Sequence, residues 1–379
     1  MQALVGANVF DGIETRSGFA VLVEGQNIVG FLPEEKVPAG TEIVKLNGGT
    51  LAPGFIDVQV NGGGGIMLNS TPTVEGVKTM VAGHRRFGTT GMLPTLTSDT
   101  PETCKTAIKA CSAAIEEGVN EVLGIHVEGP FFNPVRRGVH KEEYLRAPEE
   151  EDTTWKSLIP NGTLLYTLAP EMVEKDKITK MIAAGAKVSI GHTGGTYEDT
   201  REALDLGVDG FTHLYNAMTP STGREPGVVG AAIEDPHSWV GVIVDKYHVH
   251  SATLKLAIEA KPTGKIMLVT DAMATIGSDE KFFLLYGERI DEKDGCLVSA
   301  EGKLAGSAIS MIDAVENTVE WLGYPLEEAL RMASLYPAEY LGRGHELGRV
   351  KAGYKANLVH FDDEYKVTAT WVAGEHEAY

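Results

Sequence analysis

Residues 122–129 read VLGIHVEG, and the same grammar returns downstream as KVSIGHT (187–193), GFTHLYN (210–216), VGVIVDKYHV (240–249) and KIMLVTDAM (265–273). Each is a short apolar run, and each closes on a residue that can bind a metal or carry a proton. Runs rich in Val, Ile and Leu on both faces are the mark of buried parallel strands covered by helices. GFIDVQV (54–60), GMLPTL (91–96) and LLYTLAPE (164–171) complete a set of eight. Most successive runs are separated by a helix-length segment. Thr71-Pro72 reads as an N-cap with proline in the first helical position, closed by Gly88, and Thr100-Pro101 opens a second helix that ends near Gly118. The exceptions are loops around 130–160, 217–237 and 274–307. Eight such units in about 285 residues predict an α/β fold, a (β/α)8 TIM-type barrel. A doubly wound open sheet is the alternative, but no G-x-G-x-x-G follows the first strand.

The two ends of the chain have a different texture. ALVGANVF (3–10) precedes Asp11-Gly12, and AVLVEGQNIVGFL (20–32) carries polar Glu24 to Asn27 at its centre, as a hairpin does. GRVKAGYKANLVHFD (348–362) and KVTATWVAGE (366–375) return to the same pattern. The expected organisation is a small β-sandwich domain built from residues 1–52 and 343–379, with the barrel over 53–342.

Composition narrows the partners. The 379 residues include 33 Lys and Arg against 53 Asp and Glu, a formal charge of −20, with 43% apolar and 23% charged residues. That balance suits a large core and excludes disorder across the chain. Its sign argues against nucleic acid or an anionic membrane as the main partner. Cys104, Cys111 and Cys296 have no metal or disulfide spacing, and the first two, seven apart on a helix, read as buried thiols. The opening MQALVGANVFDG shows no secretory leader, and no run reaches the ~18 apolar residues of a membrane span. The expected location is cytoplasmic.

Chemistry concentrates at the strand ends. Glu128, His192, His213, His248 and Asp271 each close one of five runs, and the first run ends in Gln59-Val60-Asn61. A lone histidine at a strand end is ordinarily a satisfied structural residue. Here that reading must hold independently on several strands, whereas a barrel gathers its C-terminal strand ends on one catalytic face. Two histidines and a carboxylate form a normal ligand set for a catalytic divalent ion, so Glu128, His192 and His213 are the expected ligands. Asp271 is then placed to take a proton from water and return it to a leaving group, with a helix N-cap as its alternative role. The Gly62–Gly65 run lacks the lysine of a phosphate-binding loop and reads as a tight turn.

Read together, APGFIDVQVNG (52–62), HVEGP (126–130), GHT (191–193), THLYNAM (212–218), DKYHV (245–249) and TDAM (270–273) resemble the amidohydrolase superfamily. Within it the chain is similar to deacetylases of 6-phosphorylated 2-acetamido sugars. The resemblance implies hydrolysis of the acetamide of N-acetylglucosamine 6-phosphate to glucosamine 6-phosphate and acetate. Many members carry His-x-His at the end of the first strand. Gln59-x-Asn61 stands there instead, and amides are poor ligands for zinc or iron, so one divalent ion per subunit is expected. Zn2+ is the expected ion, and the same ligands also suit Fe2+ or another divalent ion. The resemblance further implies that His140 polarises the acetyl carbonyl and that Asn216 and Ala217 offer backbone amides to the substrate phosphate. His248 and Arg224 would contact sugar and phosphate, with Arg224 reaching the neighbouring active site of a homodimer. Gln59 and Asn61 are counted with the substrate-binding positions. Two rivals stay open: an amidohydrolase of a cyclic amide or nucleobase, and a non-catalytic barrel scaffold.

Overall fold

The computed structural model describes residues 1–299, 302 and 304–379. The chain divides into two compact units, one of residues 58–83 and 92–309, the other of residues 1–57, 84–91 and 310–379.

Eight parallel strands, six of them wholly within the larger unit, are β1 (Phe55–Val60), β2 (Thr89–Thr97), β3 (Gly124–Glu128), β4 (Thr163–Leu168), β5 (Lys187–Ile190), β6 (Gly210–Phe211), β7 (Trp239–Val242) and β8 (Ile266–Leu268). Each pairs with its neighbour in chain order. The ring closes just past β8, where the Asp271 N–H donates to Gln59 O at 3.0 Å and the Asn61 N–H donates to Ala272 O at 2.9 Å. This is the expected barrel. Helices α1 (Val74–Arg85), α2 (Pro101–Glu116), α3 (Lys175–Ala183), α4 (Tyr197–Asp205), α5 (Gly227–Glu234) and α6 (Ser251–Ala260) connect the strands, and a 3-10 segment at Glu151–Leu158 serves between β3 and β4.

Local chemistry explains α2. Thr100 caps α2, its hydroxyl accepting the Thr103 N–H at 3.2 Å, and Pro101 follows where no N–H is needed. Cys104, Ala107, Ile108 and Cys111 recur at the 3–4 spacing of one helix face and are all buried. Burial pushes the Cys104 thiol up to about 12, so it behaves as a small apolar residue. At α1 the expected cap shifts by two residues: Thr73, not Thr71, accepts the Gly76 N–H, at 3.1 Å, and the helix begins at Val74 after Pro72.

Two expected loops hold structure. Residues 217–237 contain α5, whose GVVGAAIE is apolar with no clear period. Residues 274–307 contain a four-stranded antiparallel sheet: Phe282–Leu285, Glu288–Lys293, Cys296–Val298 and Leu304–Ser307. Tyr286-Gly287 and Asp294-Gly295 join its strands with φ of 51° and 82°, and 52° and 75°. Two successive positive φ angles give the two-residue turn that matches strand twist. Phe283, Leu285, Ile290, Leu297 and Ala305 then pack with Met67, Met273 and Ala274 into a separate apolar cluster. The Gly62–Gly65 run is the expected tight turn, between short strands at Gly62–Gly63 and Ile66–Met67. A Cβ on Gly62 would lie 2.5 Å from Ile66 O, so no other residue fits there.

In the smaller unit, a four-stranded sheet orders Asn27–Pro33, Phe19–Glu24, Gln2–Val5 and Glu42–Lys45. In a six-stranded sheet, Thr50–Pro53 runs antiparallel to Leu358–Phe361, with Leu358 opposite Pro53 and Phe361 opposite Thr50. Leu4, Val21 and Ile28 of the first sheet share one core with Leu51, Leu358 and Trp371 of the second. Both chain ends thus complete one sandwich, because neither end alone has strands enough to cover its apolar face. Among the described residues, no helix is long and apolar enough to cross a membrane.

Candidate active site

The barrel collects its chemistry where its strands end. Glu128 is the last residue of β3, His192 and His213 follow β5 and β6 by two residues, and Asp271 follows β8 by three. All four are buried. His192, His213 and Asp271 have φ of 50°, 34° and 53°, a left-handed backbone that is uncommon outside glycine. Such conformations cost of order 1–3 kcal/mol each and persist where the surroundings over-determine them. Here each bends the chain sharply off its strand and turns a side chain over the barrel mouth.

Three donor atoms meet there. His213 Nε2 lies 3.1 Å from Glu128 Oε1, His192 Nε2 lies 3.4 Å from the same oxygen, and the two Nε2 atoms are 3.0 Å apart. The ring of His192 is fixed from outside. Its Nδ1 lies 2.9 Å from Arg136 O, and since a carbonyl only accepts, the proton sits on Nδ1 and Nε2 keeps its lone pair. Phe132 stacks on the ring at 4.2 Å. Burial works against the charge on Glu128, but its contacts with His192 and His213 outweigh it and hold the carboxyl well below its ordinary range. Burial likewise lowers His192, whereas at His213 the hydrogen bond and charge of Glu128 overcome burial and raise the imidazole. Two imidazole nitrogens crowded on one ionised oxygen can share at most one proton. A divalent cation satisfies all three at once, and an imidazole oriented by a backbone carbonyl is the usual state of a metal ligand. The residues therefore fit a metal ion.

A looser grouping brings His140 within 4.8 Å of Glu128 and His192. His140 is set up differently. The Ser98 N–H donates to its Nδ1 at 3.1 Å, so the neutral ring carries its proton on Nε2 and is a donor, not a ligand. Burial and the neighbouring His192 lower this imidazole to about 3, which keeps it neutral.

The first-strand amides face the carboxylates. Gln59 Nε2 donates to Glu128 Oε1 at 2.9 Å and to Asp271 Oδ1 at 3.0 Å, and Asn61 Nδ2 donates to Asp271 Oδ1 at 2.6 Å. With two donors on Oδ1, Oδ2 is the Asp271 oxygen placed to take a proton. Burial first and the charge of Glu128 second push the Asp271 carboxyl up to about 6, against His213, His248 and the Asn61 hydrogen bond. No helix follows Asp271, which removes the N-cap alternative.

Glu128, His140, His192, His213, Asn216, Ala217, His248 and Asp271 line one cavity of about 160 Å³, together with Thr97, Val139, Met273, Leu304 and Gly306. Gln59 and Asn61 are not among its lining residues. The Asn216 N–H already donates to His213 O at 3.1 Å, so it is not free for a phosphate. Arg224 stands exposed on the loop before α5 and does not line this cavity. The sequence reading missed Asp245, whose Oδ2 lies 2.6 Å from His248 Nδ1 and whose Oδ1 accepts the N–H groups of Tyr247 and His248. Its i, i+3 spacing in DKYH was the available signal. Nothing local marked Ser98.

The sequence profile of the amidohydrolase family matches residues 50–376. An N-acetylgalactosamine-6-phosphate deacetylase of Shewanella sp. (strain ANA-3) is 41% identical over 331 residues, 87% of this chain and 84% of that protein. An N-acetylglucosamine-6-phosphate deacetylase of Haemophilus influenzae is 35% identical over 380 aligned residues, 98% of each chain. The crystal structure of N-acetylglucosamine-6-phosphate deacetylase from Pasteurella multocida superposes with a TM-score of 0.96 at 37% identity, covering 100% of both chains. The chain belongs to the amidohydrolase family, metal-dependent hydrolases of amide bonds.

Proposed function

We propose that this protein hydrolyses the acetamide of N-acetylglucosamine 6-phosphate to glucosamine 6-phosphate and acetate, with one divalent ion held by Glu128, His192 and His213. The observation that carries the reading is the convergence of Glu128 Oε1 with the Nε2 atoms of His192 and His213 beside Asp271 in one cavity. Relatives named for this reaction over nearly the whole chain support it. When bound, a divalent ion such as Zn2+ or Fe2+ supplies Lewis acidity, activating water and polarising the acetyl carbonyl.

The chain's own groups do the rest. Asp271 takes the proton of the attacking water at Oδ2, because Gln59 and Asn61 already occupy Oδ1. The water oxygen forms the new bond to the acetyl carbon. As the C–N bond breaks, Asp271 returns the proton to the departing nitrogen, and the products are acetate and the free amine. His140, its proton held on Nε2 by Ser98, donates to the acetyl oxygen as negative charge develops there. His248, whose Nδ1 proton is held by Asp245, presents Nε2 as an acceptor for a sugar hydroxyl. The Ala217 N–H binds phosphate, and the exposed Arg224 serves the neighbouring site of a homodimer.

The 41% identity to a galactosamine-directed relative favours a second reading, the epimeric N-acetylgalactosamine 6-phosphate as substrate. Acetate release should be measured on both phosphorylated sugars and on their phosphate-free forms, with bound metal quantified on the same sample. We expect turnover of the phosphorylated glucosamine derivative to exceed the others. Equal rates with and without phosphate would defeat the substrate assignment, and faster turnover of the galactosamine epimer would replace it with the second reading.

A further inference from the structure

Glu171 lies three residues beyond β4, outside the cavity lining, yet it grips two other loops of the barrel rim. Its Oε2 accepts the Thr193 hydroxyl at 2.6 Å, and its Oε1 accepts the Gly194 N–H at 2.7 Å and Asn133 Nδ2 at 3.0 Å. One half-buried carboxylate thus accepts three donors from two segments. Both segments hold His192.

On one side, Thr193 and Gly194 directly follow His192, whose φ is 50°. Pinning the next two residues is what keeps a non-glycine residue in that costly conformation. On the other side, the Asn133 N–H donates to His192 O at 3.0 Å. Asn133 Oδ1 also accepts the Val135 N–H at 3.0 Å and so caps the turn Pro134–Arg136, whose Arg136 O receives the His192 Nδ1 proton at 2.9 Å. A chain of direct hydrogen bonds therefore runs from Glu171 through Asn133 and its turn to the atom that sets the His192 tautomer. A second runs through Thr193, whose N–H donates to Ala217 O at 3.0 Å. Removing the carboxylate frees both jaws of this clamp together, without touching the cavity.

We propose that Glu171 is a positioning residue that fixes the orientation and tautomer of His192 and thereby sets the affinity of the site for its metal ion. The inference rests on the reading of His192 as a ligand. Partners that orient ligating histidines contribute about 10–100-fold to metal affinity. The test titrates metal-free wild-type protein and the Glu171→Gln, Glu171→Ala and His192→Ala variants with Zn2+ against a chromophoric chelator. Melting of each metal-free protein and the visible spectrum of its Co2+ form are recorded alongside. Zn2+ affinity should fall about 10–100-fold in Glu171→Ala and by a smaller factor in Glu171→Gln, which keeps one carbonyl acceptor. The Co2+ spectrum should change with it. If the alanine variant does not fold, the glutamine variant decides. Lower melting temperatures with unchanged Zn2+ affinity and Co2+ spectrum, beside a defective His192→Ala, would overturn the inference alone. Wild-type affinity in His192→Ala would instead break the ligand assignment and the inference with it.

Discussion

His360 in the β sandwich and His213 at the barrel mouth are both buried, and their surroundings differ in kind. His360 Nδ1 lies 2.5 Å from Thr368 Oγ1, and its Nε2 donates to Gly48 O at 2.8 Å. Both ring nitrogens have complementary partners. His213 Nε2 instead faces His192 Nε2 at 3.0 Å and Glu128 Oε1 at 3.1 Å, three electron-rich atoms with at most one imidazole proton among them while both rings are neutral. A satisfied buried histidine is structure. Histidines that crowd one carboxylate at a strained backbone mark a place that stores the means to bind something else.

Substitutions can break this contrast. The largest effect is expected from His213→Ala, which should remove bound metal and acetate release together while far-ultraviolet circular dichroism stays that of the folded barrel. Full metal content in the purified variant would reassign the ligand. Next is Asp271→Asn. The variant's amide oxygen can still accept from Gln59 and Asn61, and asparagine tolerates the positive φ, so fold and metal should persist. Acetate release should fall about 10²–10⁴-fold, the usual worth of a general acid–base. A variant near wild-type rate would place the base elsewhere.

At the satisfied histidine the prediction reverses. His360→Ala should leave metal content and turnover of the folded protein unchanged and cost about 0.5–3 kcal/mol of stability, because a buried ring and both its hydrogen bonds are lost. Urea unfolding reads this directly. The smallest effect concerns Asp235, a carboxylate held by backbone N–H groups and an arginine where two histidines crowd Glu128. Burial opposes its charge, but the N–H groups of Ser238 and His237, then Arg201, outweigh it and lower the carboxyl to about 2. A carboxyl whose folded value lies below its ordinary 3.8 adds stability above that pH and loses it as pH falls through about 2. Asp235→Asn should therefore be less stable than wild type at neutral pH, with the gap closing between those two values. A gap that does not depend on pH would mean the charge of Asp235 is not what stabilises.

Much of this was readable along the chain. Buried parallel strands are apolar on both faces, so VLGIHVEG and its counterparts stood out, and their final residues named Glu128, His192, His213 and Asp271. Thr100-Pro101 and the 3–4 spacing of Cys104, Ala107, Ile108 and Cys111 announced α2 by local rules. The sheet within residues 274–307 was missed although Asp294-Gly295 is a hairpin signal, because Glu288–Lys293 is charged at five of six positions and its neighbours are only three or four residues long. Thr73 displaced Thr71 as the cap of α1, a choice between threonines two residues apart that local sequence does not resolve.

The residue types and the strand ends that carry them follow from local order, since alternation, capping and turn chemistry act over a few neighbours. Which atoms meet depends on the closed barrel. It set Gln59 and Asn61 on the carboxylates and fixed the His140 tautomer through Ser98. These pairings join residues from different strands of a closed ring or turn on the orientation of a single ring. Barrel closure, not spacing along the chain, brings Gln59 within 3.0 Å of Asp271 across 212 positions.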